Sequence, residues 1–254
     1  MTPRRASHLL VALTCAIAFG ACNQPDAPDC IQRAGANARD SVVFEGVDAT
    51  SLLLYDRIDV TWEPGEPGRT VVVWEGPENL LADAETDWDG VTLTLGDGNT
   101  CRWVRDLGIT LRATVRSPAL AAVEHRGAGR FIAALPDRPG TFRLDARNCS
   151  GSIDLDAAGD TVAVLLHSGA VTATLTGSPT VLEAFSAGLS GLDASRCYST
   201  RAFIHQAALR PLRFRATEYA YLALTGPGDA VLHGTSPADL ELERTGEGEL
   251  RTEE

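Results

Sequence analysis

Between Val123 and Leu175 the chain alternates apolar and polar residues in short runs. Phe142, Leu144 and Ala146 alternate with Arg143 and Asp145, and Ile153 and Leu155 alternate with Asp154 and Asp156. A period of two is the signature of half-buried strands. Each run is cut by a glycine, and the same unit recurs downstream around Phe185, Leu222 and Leu242. Gly127, Gly151, Gly169, Gly188, Gly226 and Gly246 thus mark rungs about 18–24 residues apart or near multiples of that. Such spacing predicts an all-β solenoid, similar to a parallel β-helix, with coils of roughly 20 residues. Corners such as Gly127-Ala128-Gly129 and Gly226-Pro227-Gly228 are expected to use positive φ.

Upstream, Ser41 to Val47, Leu52 to Tyr55, Ile58 to Trp62, Thr70 to Trp74, Val91 to Leu95 and Ile109 to Val115 also read as strands. Asp89-Gly90 is the strongest local hairpin signal. Glu78-Asn79-Leu80-Leu81 leaves helix and strand open. No segment outside the N-terminal leader sustains a 3.6-residue period, so helix should be scarce.

Residues 1–21 carry Arg4 and Arg5, an apolar run from Leu9 to Phe19 and then small residues, the pattern of an export signal too short to span a bilayer. Phe19-Gly20-Ala21-Cys22 resembles a bacterial lipobox, which makes Cys22 the expected lipidation site and first mature residue. Several acyl chains there would anchor the protein stably, at about 0.8 kcal/mol per buried methylene. Residues 22–40, containing Cys30, read as a tether, 41–250 as a single β-solenoid domain and 251–254 as an acidic tail.

Charge narrows the partners. All 22 basic residues are Arg, against 34 acids, for a net charge of −12. Nothing here could neutralise a run of phosphates, so nucleic acid is not an expected partner.

After export, Cys30, Cys101, Cys149 and Cys197 stand in an oxidising compartment and allow three pairings. Cys30 sits where the tether meets the fold and Cys101 follows a turn-rich segment, so a Cys30–Cys101 bridge is favoured. It would close a loop of about 70 residues and stabilise by roughly 3–4 kcal/mol. Cys149 and Cys197 hold different places in the repeat and read as small buried thiols.

Several short motifs coincide in order. Asp29-Cys30-Ile31-Gln32 precedes Gly35; Ile58-Asp59-Val60, Glu78-Asn79-Leu80-Leu81 and Asn99-Thr100-Cys101-Arg102-Trp103 follow; Phe185-Ser186-Ala187-Gly188 and Thr245-Gly246-Glu247-Gly248-Glu249-Leu250 complete the series. Together they resemble the "putative auto-transporter adhesin, head GIN domain" family, common among lipoproteins of Bacteroidota. The resemblance covers nearly the whole mature chain. It implies a right-handed β-solenoid and an extracytoplasmic location, supports the Cys30–Cys101 bridge, and implies no reaction. One departure is that Ala207 to Pro211 lacks the corner glycine, so that rung should bulge or turn at Pro211.

Candidate chemistry is sparse. Asp154 and Asp156 share a strand face, with Asp145 one element earlier, and paired carboxylates on a solenoid wall can serve polysaccharide cleavage or calcium binding. The competing reading is an ordinary solvated face, because Ile153 and Leu155 fill the inward positions. His125, Cys149 and His167 each stand two residues before a rung glycine, a spacing that could stack metal ligands, although strand parity does not support it, and no metal or other cofactor is expected. Trp62, Trp74, Trp88 and Trp103 could form a sugar platform, but core and cap packing is the simpler account. His205 and His233 read as surface or turn residues. No nucleophile elbow, phosphate loop or zinc-protease signature is present.

The expectation is therefore a lipid-anchored protein of the outer membrane or cell surface, without catalytic activity, that binds a glycan or protein of the envelope or its surroundings. The alternative is a polysaccharide-active enzyme using Asp145, Asp154 and Asp156, which requires the three acids to converge in one groove with a basic partner such as Arg143. Glu247, Glu249, Glu253 and Glu254 should discourage edge-to-edge pairing and keep the protein monomeric.

Overall fold

A computed structural model describes residues 34–99 and 109–253. The alternating runs fold as strands: the described residues are 64% strand and 2% helix, wound into a β-solenoid of about 7 turns with roughly 20-residue coils. Each coil gives one strand to each of two sheets. The ten-stranded sheet receives β2 (Ser51–Leu54), β8 (Ala122–His125), β10 (Thr141–Ala146), β12 (Thr161–Leu166), β14 (Val181–Gly188), β16 (Ser199–Ala208), β18 (Ala216–Leu224) and β20 (Asp239–Arg244). The eleven-stranded sheet receives β3 (Ile58–Pro64), β9 (Arg130–Ala134), β11 (Cys149–Ala157), β13 (Gly169–Gly177), β15 (Gly191–Cys197), β17 (Leu212–Phe214), β19 (Ala230–His233) and β21 (Leu250–Glu253). Neighbours from β8 and β9 onward pair in parallel, as successive coils must.

The core is two facing ladders of apolar side chains. Leu52, Val123, Leu144, Val164, Ala184, Ile204 and Leu222 lie in register across one sheet. Phe131, Ile153, Ala173, Leu192, Leu212 and Ala230 answer them from the other, and all are buried. Burying each large aliphatic side chain contributes about 1.5–3 kcal/mol, and in-register stacking repeats that gain once per coil.

The N-terminal end departs from simple stacking. Between β3 and β8 the chain makes an excursion through β4 (Arg69–Pro77), the one-turn helix α1 (Glu78–Leu81), β5 (Ala84–Trp88), β6 (Leu93–Asp97) and β7 (Leu111–Ser117). β6 pairs in parallel with β2 and β7 with β3, so this later segment forms the coil beneath the first one. Antiparallel strands then close that end: β1 (Asn37–Glu45) on β4, β4 on β7, and β5 on β6, where Asp89 and Gly90 lie in the hairpin. Trp62 and Trp74 are core residues here. Their indole N–H groups donate to Ser117 Oγ at 2.9 Å and Thr86 Oγ1 at 2.8 Å. Trp88 packs partly buried against the same core.

Strand β1 starts at Asn37, within the segment expected as tether, and pairs along β4. Arg251 to Glu253, expected as an acidic tail, extend β21 along β19.

The six rung glycines line one corner, where the chain passes from the ten-stranded to the eleven-stranded sheet. Two physical reasons operate there. Gly151, Gly169 and Gly188 have φ of 119°, 109° and 66°. The corners at Gly127-Ala128-Gly129 and Gly226-Pro227-Gly228 do not use positive φ; they need glycine because coils approach closely. A Cβ on Gly129 would stand 1.7 Å from the Ile58 carbonyl oxygen. The coil without a corner glycine turns differently: the buried Gln206 side-chain amide donates to the Arg210 carbonyl at 2.6 Å and pins the turn from inside.

Cys149 and Cys197 are free and buried, on separate coils. Burial pushes their thiols up to about 11 and about 12. Cys22, Cys30 and Cys101, and with them the lipidation site and the favoured bridge, lie outside the described residues, as does Trp103.

Candidate functional site

Strand alternation gives each sheet an outward face, and the two faces differ in chemistry. On the eleven-stranded sheet, Asp154, Thr174, Asp193 and Arg213 form one outward row, and Asp156, Thr176 and Arg196 form part of another. This is a hydrated mixture of hydroxyls and opposite charges.

The ten-stranded sheet carries an aromatic patch. Leu165, Phe185 and His205 share one outward row; Glu183, Phe203, Tyr221 and Glu241 the next; Val181, Arg201, Tyr219 and Asp239 the third. Parallel in-register stacking brings the rings together. The centroids of Phe185 and His167 are 5.2 Å apart, those of Phe185 and His205 5.0 Å, and those of Phe203 and Tyr219 5.6 Å, with interplanar angles of 48°, 71° and 51°. Tilted geometries of this kind suit the ring quadrupoles. The Arg201 guanidinium lies 5.4 Å from the Phe203 centroid and 5.5 Å from that of Tyr219, within cation–π range. The rings of Phe185, Phe203, Tyr219, Tyr221 and His167 are half-buried, fixed by their neighbours with one side open, and that of His205 is exposed.

Polar groups surround the rings. The Tyr219 phenol is raised above its ordinary pKa by desolvation and by its hydrogen bond to Glu241, and the Tyr221 phenol chiefly by its hydrogen bond to Glu243. Both phenols therefore stay protonated and donate to carboxylates. His205 Nε2 is 2.9 Å from Thr225 Oγ1. Toward the cap the patch meets a charged cluster around Asp145, which accepts from Arg143 Nη2 at 2.9 Å and Arg147 Nε at 3.0 Å and has His167 Nε2 at 2.9 Å. Burial opposes the Asp145 charge, but the hydrogen bonds from Arg147 and Arg143, with the charge of His167, hold its carboxyl below the usual range.

The three acids of the enzymatic alternative do not meet. Asp145 lies on the ten-stranded sheet beside Arg143, whereas Asp154 and Asp156 lie on the other. There Asp154 pairs with Arg130 at 2.7 Å and Asp156 accepts from Thr176 Oγ1 at 3.1 Å. With Arg196 these two line a shallow depression of 250 Å³. His125 points into the core from β8, Cys149 into the core from β11, and His167 outward, so the candidate metal ligands do not share a site. No group of three potential ligands occurs among the described residues. A larger depression of 820 Å³ beside the cap includes Arg39, Arg69 and Arg116, each ion-paired: to Glu75, Glu45 and Glu63 at 3.5, 3.1 and 2.8 Å.

The aromatic patch is not among the expectations from the sequence, whose tryptophans cluster toward the other end. The signal was present: aligning coils on their inward residues places Phe185, Phe203, Tyr219 and Tyr221 on adjoining strands.

The described residues form a β-solenoid of stacked parallel coils with an outward aromatic patch on one sheet. The chain belongs to the family described as "Putative auto-transporter adhesin, head GIN domain", whose model matches residues 50–236. No curated protein matches it. Among solved structures it is similar to a putative adhesin from Bacteroides fragilis (TM-score 0.68, 16% identity, 85% of this chain and 97% of that chain covered). It is also similar to a putative adhesin from Parabacteroides distasonis (0.62, 13%, 86% and 97%) and to a protein from the same species described as a putative lipid binding protein (0.58, 15%, 85% and 97%). At these identities the structures show the shared fold.

Proposed function

We propose that the protein is exported, lipidated at Cys22 and held at the outer membrane or cell surface, where it acts as an adhesin that binds saccharide chains through its aromatic face. The observation that carries this reading is the patch built by Phe185, Phe203, Tyr219 and Tyr221, on one face only of a rigid scaffold. A sugar offers an apolar C–H face that stacks on a ring and hydroxyl edges that bond to carboxylates, phenols and guanidinium groups. Both kinds of partner alternate here at the spacing of neighbouring strands. Membership of an adhesin family supports a surface role, and the leader with its Cys22 lipobox supports anchoring.

The test uses the full chain in two assays. Cys22→Ala should abolish incorporation of radiolabelled fatty acid and release the protein from the membrane fraction. On a glycan array, the paired substitution Phe185→Ala and Phe203→Ala should weaken retention of the glycans bound by the parent protein at least tenfold, the loss of about 1–3 kcal/mol expected when aromatic stacking is removed. Unchanged retention would sink the assignment of the aromatic face. An active polysaccharide-degrading preparation would revive the enzyme reading.

A further inference from the structure

The solenoid's two ends are finished differently. At the N-terminal end, antiparallel strands cover the stack. At the other end β20 and β21 are the outermost strands of their sheets among the described residues, each paired on one side only. The inward ladder runs out there: Leu222 is 0% exposed, and its next partner in register, Leu242, is 47% exposed. Leu240 and Leu250 are half-covered in the same end layer. A row of backbone groups and an uncovered apolar row lie side by side, the two elements that an added strand needs.

The charges on this edge select among occupants. Asp239, Glu241 and Glu243 point outward from β20, and Arg244 turns back to the Gly246 and Glu247 carbonyls. A second copy docked end to end would set these acids against their own counterparts. Docked head to tail, it would set them against β5, whose exposed outward residues are Glu85 and Asp87. Like charges opposed across a strand pair are destabilising, so neither arrangement is favoured.

We infer that the β20 edge is a docking site for an extended segment of a partner protein that alternates apolar with basic residues. Its apolar side chains would cover Leu240 and Leu242, its Arg or Lys side chains would face Glu241 and Glu243, and its backbone would extend the ten-stranded sheet by one strand. This edge adjoins the aromatic patch, whose Tyr219 and Tyr221 phenols donate to Glu241 and Glu243, but the inference rests on the open strand edge and its charges and does not depend on the saccharide reading.

The experiment measures fluorescence anisotropy of the full chain, in detergent, with a labelled eight-residue peptide alternating valine and arginine. One control peptide alternates valine and glutamate; another has the same arginine content interrupted by prolines, which cannot form a ladder. The expected result is saturable binding of the first peptide alone, hydrogen-exchange protection gained in residues 239–244, and at least a tenfold weaker affinity in the Glu241→Lys, Glu243→Lys double variant. Because both positions are exposed, folding should survive; retention of the circular dichroism spectrum checks it. Failure of the alternating peptide to bind, equal binding of the proline-interrupted peptide, protection elsewhere, or concentration-dependent dimerisation that protects the same residues would each overturn the inference.

Discussion

His125 is the last residue of β8 and points inward, 2% exposed, where its Nδ1 accepts from the Gly127 backbone N–H at 3.3 Å. Burial lowers its pKa to about 4, against a smaller opposing effect from its hydrogen bond to Gly129. The folded protein therefore keeps the ring neutral, and the unfolded chain takes up a proton once the pH falls below about 6.5. Stability should be full above that value and decline toward pH 4, by about 3 kcal/mol from this residue. Urea unfolding at pH 7.5 and 5.0 checks the sign; in His125→Leu the difference between the two pH values should shrink. The buried cysteines permit a second test. With thiols pushed up to about 11 and about 12 and no path to solvent, Cys149 and Cys197 should resist a disulfide reagent in the native state and react on unfolding. Gly129 is a third: Gly129→Ala drives a methyl into the Ile58 carbonyl, whereas a methyl on Gly140 meets nothing within 4 Å and incurs only strain at φ 96°. We expect losses of about 3 and about 1 kcal/mol respectively, read from melting curves.

At the scale of elements, what the sequence made legible was whatever repeats locally. Alternation in β10, β11 and β13 and the corner glycines yield coil length and inward faces, because a strand's parity is set by its own residues. The order of stacking is not local. β6 and β7 read as ordinary strands, and no pattern in Leu93 to Asp97 says that they pack beneath β2 and β3. Facing within a strand was legible for His125, which shares parity with Val123, but its distance from the metal candidates was set by the corner. The Ala207 to Pro211 corner shows the same limit: the missing glycine was visible, whereas its replacement by the Gln206 amide required knowing that position 206 faces inward. Gln206→Leu should leave the Arg210 carbonyl without that donor and cost about 1–2 kcal/mol, measured by thermal unfolding, with little change expected for the exposed His205→Gln.

At the scale of the molecule, a solenoid's stability is a sum over coils and their interfaces, so the finish of each end decides where it opens first. The cap end joins four strands of one sheet, β1, β4, β7 and β3, and buries Trp62 and Trp74 beneath them. Among the described residues the opposite end offers β20 and β21 one neighbour each and leaves Leu242 half in water. Opening should therefore begin at β20 and β21 and proceed toward β14, with the cap coils last. Native-state hydrogen exchange in rising denaturant measures this directly: amides of β20 and β21 should exchange with the smallest opening free energy, and those of β3 and β7 with the largest. Uniform exchange along the stack would mean that coil interfaces outweigh end effects. The order matters for the aromatic face, because Phe203 on β16 and Phe185 on β14 sit two and three strands in from the open edge, while Tyr219 and Tyr221 on β18 lie next to it. Anything that pairs with β20 would then steady the tyrosine side of the aromatic face, and under the proposed function a partner at the end of the solenoid would alter saccharide affinity on its wall.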